Sequence, residues 1–212
     1  MDILVLLPVL FLSIILHEVA HGLAAYRMGD DTAYHSGRLT LNPLAHMDWL
    51  GSVAVPAICW LFGWPLFGGA KPVPVNAARL PSPRRDMGKV AFAGPAMNLI
   101  LAALSAALLK ITLLAHGYLG ADTTAALVHI LRYGLLINVF LAIFNLIPIP
   151  PLDGGRIAVA LLPLNTAIKY DHFVGRYGMW VVLTLILTGV VKYIIFPPAI
   201  FIVSILTKFF GL

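Results

Sequence analysis

Residues 3–26 read ILVLLPVLFLSIILHEVAHGLAAY, and this stretch decides what kind of protein the chain is. Between Ile3 and Leu16 the one polar side chain is Ser13, and then His17, Glu18 and His21 follow without a break in the apolar run. A helix of roughly 20 apolar residues crosses a hydrocarbon core, so the stretch is read as a membrane span. It has no basic flank or small-residue cleavage site, and a discarded leader would have no use for those ionisable groups. It is therefore expected to be retained.

The rest of the chain agrees. Of 212 residues, 60% are hydrophobic and 11% charged, with mean hydropathy +0.94. A soluble domain carries about 25% charged residues, and a chain of this size has too little interior to hide the apolar excess. The net charge is +5, but the basic residues do not alternate with aromatics, so they read as topology signals and no nucleic-acid partner is expected. The single cysteine, Cys59, excludes an intramolecular disulfide and a cysteine-based metal cage; it is expected to pack as a small apolar residue.

Working outward, spans are expected near 3–26, 90–115, 125–147, 177–195 and 198–210, with Pro197-Pro198 breaking the last two apart. A further apolar stretch, 51–67, is interrupted by Pro56, Gly63 and Pro65. If it re-enters rather than crosses, Arg27, Arg38, Lys71, Arg79, Arg84, Arg85, Lys89, Arg156, Lys169 and Arg176 share one side. The opposite connection, 116–124, has no lysine or arginine. The positive-inside rule then puts the basic side in the cytoplasm. The expected fold is an all-α multi-pass membrane protein of about five to six transmembrane helices, with a re-entrant and extended segment between the first two long spans. A single membrane domain is expected over 1–212.

His17-Glu18-Val19-Ala20-His21 is an H-E-x-x-H motif. Residues four apart share a helix face, so both imidazoles reach one zinc ion while Glu18 stands beside it to activate water. Ionisable groups inside a span are costly to place and are functional by default. A catalytic zinc site usually has a third protein ligand, and Asp153 is the best placed. It follows Asn145-Leu146-Ile147-Pro148-Ile149-Pro150-Pro151-Leu152, whose prolines stop regular helix, and precedes Gly154-Gly155. The competing role for Asp153 is a helix N-cap near Arg156. Asn98 and Asn145 are candidates to orient substrate or stabilise an oxyanion, with interhelical hydrogen bonding the alternative. His46 and Asp48 are candidates to approach the site from the loop.

These residues together resemble the site-2 protease family of intramembrane zinc metalloproteases. The resemblance rests on the H-E-x-x-H motif, the N-x-x-P…D-G pattern from Asn145 to Gly154, and Gly94-Pro95-Ala96-Met97-Asn98. The stretches 37–43 and 71–76 add to it, so that it covers roughly residues 17 to 156. The form is compact, without the PDZ or CBS domains many relatives carry. The resemblance implies one zinc ion held by His17, His21 and Asp153, with Glu18 as catalytic base. It also implies a substrate that is itself a membrane-spanning or membrane-inserted helix.

Such a helix hides its carbonyls in its own hydrogen bonds and must unwind before attack. The segment Lys71-Pro72-Val73-Pro74-Val75-Asn76 is expected to be extended and to pair with the unwound peptide, through Lys71, Val73, Val75 and Asn76. A prokaryotic cell membrane is expected, with the site opening to the cytoplasm. The competing readings are a zinc-binding membrane transporter and a non-cleaving relative that binds helices. A transporter has no need of a glutamate between the two histidines, and an inactive relative no need of a complete ligand set.

Overall fold

A computed structural model describes residues 3–47, 61 and 71–212. Cys59, Asp48 and nearly all of 51–67, the segment expected to re-enter, lie outside them. The described residues form helices and loops without strands. Four helices carry the architecture: α1, Ile3–Arg27; α4, Pro83–Leu114; α6, Ala121–Leu146; and α9, Val191–Phe210. Short helical turns α2, Thr32–His35, and α3, Pro43–His46, follow α1. Another, α5, His116–Leu119, joins α4 to α6. Helix α7, Asp153–Leu161, follows the proline-rich loop, and α8, Leu164–Leu187, leads into α9.

Each of the four is long and apolar enough to cross a membrane. Their surfaces say the same: Leu12, Leu104, Ile111, Leu114, Phe201 and Phe209 are exposed. In water so large an apolar surface would be an association site; against lipid it is the required exterior. The protein is an integral membrane protein.

Helix α4 lies at the centre, packed against α1, α6 and α7. Small residues allow the close approach, with Ala102, Ala106, Val139 and Ala142 fully buried. At Gly134 of α6 a Cβ would lie 2.6 Å from the Ser105 hydroxyl. At about 1.5 Å per residue, α4 is longer than a hydrocarbon core is thick. Its first turns accordingly hold Arg84, Arg85, Asp86 and Lys89, and Pro83 opens the helix where an N–H would have no partner anyway.

Contacts at the two ends of the packed region fix direction. His17 meets Asn98 while His21 meets Val90, so α1 and α4 are antiparallel. The chain therefore leaves α1 and enters α4 on the same side, as the charge distribution requires.

The end of the chain departs from expectation. The expected break at Pro197-Pro198 is absent, because both prolines sit inside α9. The helices separate instead at residues 188–190, where Gly189 has φ +70°, a conformation that glycine adopts at little cost. Proline within a helix removes a donor without forcing a reversal, and the glycine makes the turn. Helix α8 takes the place of the span expected at 177–195, but its first half bears Lys169, Asp171 and Arg176. It is not among the four helices with spanning length and apolarity.

Candidate metal centre

His17 and His21 stand one turn apart on α1 and point into the bundle, both buried. Asp153 is the first residue of α7. Its carboxylate lies 3.1 Å from His17 Nε2 and 3.3 Å from His21 Nε2, and the two Nε2 atoms are 3.0 Å apart. A tetrahedral zinc with bonds of about 2.0–2.1 Å would space its ligand atoms by roughly 3.4 Å, so the triangle is close to one face of that tetrahedron.

The outer faces of the imidazoles show why the atoms converge. His17 Nδ1–H donates to Asn98 Oδ1 at 2.6 Å, and His21 Nδ1–H donates to the Val90 carbonyl at 2.7 Å. Both partners are acceptors, which places the ring protons on Nδ1 and leaves both Nε2 atoms as lone pairs. Asp153 Oδ2, buried between them, finds no hydrogen-bond donor. Three electron pairs converging without a proton repel one another, and a cation at their centre satisfies all three. The donor set suits zinc.

Asn98 is the end of a longer polar chain through the apolar interior. Its Nδ2 donates to Asn138 Oδ1 at 2.9 Å, and Asn138 Nδ2 donates to Ser13 Oγ at 2.9 Å. Ser13 in turn donates to the Val9 carbonyl at 2.8 Å. With 0% exposure, Asn98 has both amide atoms engaged, by His17 and Asn138. Asn138 and Ser13 were missed in the sequence, although an asparagine inside the span expected at 125–147 is the same kind of signal that singled out Asn98.

Glycines make room for these groups. A Cβ on Gly94 would lie 2.5 Å from His21 Nε2 and 2.6 Å from His17 Cε1. On Gly154 it would strike the carbonyl oxygens of Leu146 and Ile147 at 2.3 and 2.4 Å. Bare backbone at these two positions lets α4 approach the imidazoles and lets α7 fold onto the end of α6.

The remaining candidates are arranged around the base. Glu18 Oε2 accepts the backbone N–H of Val73 at 2.9 Å. The segment 71–76 is neither helical nor paired as a strand, and Asn76 at its end has extended backbone angles. Lys71 N–H donates to the His46 carbonyl at 2.8 Å, and His46 Nε2–H to the Thr40 carbonyl at 2.8 Å. His46 thus braces the loop and the start of the segment and is not brought into the ligand cluster. Asn145 Nδ2 donates to the Leu141 carbonyl within its own helix, at 3.0 Å.

A bundle of membrane helices enclosing a His, His, carboxylate triad with a glutamate beside it defines the class: a membrane-embedded hydrolytic metal centre. A profile of peptidase family M50 matches residues 110–189. YwhC of Bacillus subtilis (strain 168), a zinc metalloprotease by name, is 39% identical over 192 residues, covering 89% of this chain and 82% of YwhC. Rip3 of Mycobacterium tuberculosis, also a zinc metalloprotease by name, is 31% identical over 189 residues, which are 87% of this chain and 38% of Rip3. Rip2 of Mycolicibacterium smegmatis is 34% identical over 144 residues, or 68% of this chain and 51% of Rip2. No solved structure matches. The chain belongs to peptidase family M50, the site-2 protease family, and is a metalloprotease.

Proposed function

We propose that the protein is a single-domain intramembrane zinc protease that hydrolyses peptide bonds in or beside the transmembrane segments of other proteins. The observation that carries this reading is the convergence of His17 Nε2, His21 Nε2 and an Asp153 oxygen, all within 4.8 Å of one another, next to Glu18. A zinc ion held there, one per chain, supplies Lewis acidity, which acidifies water and polarises the scissile carbonyl. Glu18 accepts the proton of the attacking water and returns it to the leaving amine. With Oε2 engaged by Val73, Oε1 is the oxygen assigned to that proton.

Substrate binding falls to the segment 71–76. The amides of Lys71, Val73 and Asn76 have partners within the chain, and Pro72 and Pro74 have none to give. The pairing reading therefore narrows to the Val75 N–H and the carbonyls of 71–75, which receive the donors of an unwound peptide. Asn145, in the motif leading to Asp153, is the candidate to orient the substrate carbonyl. The basic residues flanking α1 and α4 support a site open to the cytoplasm, and the bacterial relatives support a prokaryotic cell membrane.

The test uses purified protein in detergent with a panel of single-span substrates, comparing wild type with Glu18→Gln and quantifying zinc in both. Cleavage by wild type alone, with equal zinc, is expected. Zinc in both with cleavage in neither would count against the protease, and so would cleavage by the variant against the base.

A further inference from the structure

The turn after α1 hides a carboxylate that takes no part in the metal-binding cluster. Asp30 is 0% exposed. Its Oδ1 accepts the Thr32 backbone N–H at 3.1 Å and the Thr32 hydroxyl, while its Oδ2 accepts the Asn76 N–H at 2.6 Å. Burial alone pushes this carboxyl up, but the donors and the nearby Arg79 charge outweigh it and hold the group below the ordinary aspartate value. An ionised buried carboxylate with every donor in place is a firm anchor.

What it anchors is the segment beside the base. Val73 is tied to Glu18 and Asn76 to Asp30. Asp30 N–H donates back to the Ala25 carbonyl at 3.0 Å, which folds the turn against the end of α1. The segment is thus held to α1 and its turn at two points, Val73 and Asn76. Beneath it Val75 packs on Ala25, Leu80 and Val90, and the Val73 side chain lies against Gly22, where a Cβ would be 2.9 Å away.

We propose that Asp30 is a positioning residue for peptide hydrolysis, holding 71–76 beside Glu18 so that the backbone of this segment is presented to the substrate. This rests on the substrate-pairing reading of that segment. In Asp30→Asn an amide N–H replaces one acceptor, so either Asn76 or Thr32 loses its partner. The released end lets the segment drift from α1 while the metal ligands stay in place.

The experiment compares wild type, Asp30→Asn and the milder Thr32→Val, which loses only the hydroxyl donor. It measures backbone amide exchange at Val73 and Asn76, zinc content, and KM and kcat on a single-span substrate. Exchange at both amides is expected to quicken about tenfold in Asp30→Asn. KM should rise about tenfold with kcat within about twofold and zinc unchanged. Thr32→Val should shift in the same direction by less. Unchanged exchange and KM, or a loss confined to kcat and zinc, would overturn the proposal. If Asp30→Asn does not fold, Thr32→Val decides by the same readings. Exchange is read without turnover, so a wild type that cleaves nothing defeats the proposed function and still leaves the hold of Asp30 on the segment to be decided.

Discussion

At Gly94 a single hydrogen atom separates a metal-binding site from a crowded one. Its Cβ position is already taken by His21 Nε2 and His17 Cε1, and neither ring can retreat, because each is held from behind. Gly94→Ala should lower zinc affinity by tenfold or more, at a stability cost of about 1–3 kcal/mol for the overpacking. A competitive chelator titration measures it, and wild-type affinity would refute the packing argument. That His17, Glu18 and His21 share one stretch of helix was legible in sequence because helical spacing is local. The service of Asn98 to His17 was not, since it depends on where α1 crosses α4. Asp30 looked like an ordinary turn residue for the same reason: its partner Asn76 lies in a distant stretch of chain.

Among the elements, α6 contributes to the metal centre without supplying a ligand. Its Asn138 completes the chain from Ser13 to Asn98, so Asn138→Leu leaves the Asn98 amide only the long 3.5 Å contact to the Ser13 carbonyl. Partners behind a metal-ligating histidine are worth about 10–100-fold in affinity, and about tenfold weaker zinc binding is expected. An unchanged affinity in the same titration would show that Asn98 orients His17 unaided. Elsewhere, helix existence followed from apolar run length, which is why α1, α4 and α6 lie close to their expected bounds. The error at the C-terminal end came from treating two prolines as a stop. Whether a helix continues through proline depends on what its neighbours tolerate, and the sequence does not carry that information.

Across the whole molecule, the proposed metal ligands come from α1 and α7, far apart in sequence and both packed on α4. Metal binding therefore clips the first helix to the second half of the chain. A ligand present at 1,000 times its dissociation constant stabilises the native state by about 4 kcal/mol. Chelation should accordingly lower the thermal midpoint, and restored zinc should raise it again in wild type and in Glu18→Gln alike. A midpoint indifferent to metal would mean that the ligands do not bridge the two halves. The antiparallel placement of α1 and α4 agrees with the expectation, drawn from the arginines and lysines between them, that both helices open on one side.

The polar chain from Ser13 through Asn138 and Asn98 to His17 also bears on how the protein matures. As the nascent chain enters the bilayer, α1 arrives with two histidines and a glutamate whose partners Asn98, Val90 and Val73 have yet to be made. Asn98 comes with the next long helix, Asn138 with the one after, and Asp153 only once that helix has been made. An incompletely synthesised or unassembled chain thus holds a scattered ligand set and no cutting centre. The side chains of the metal centre are complete only when the turn after α6 has been made.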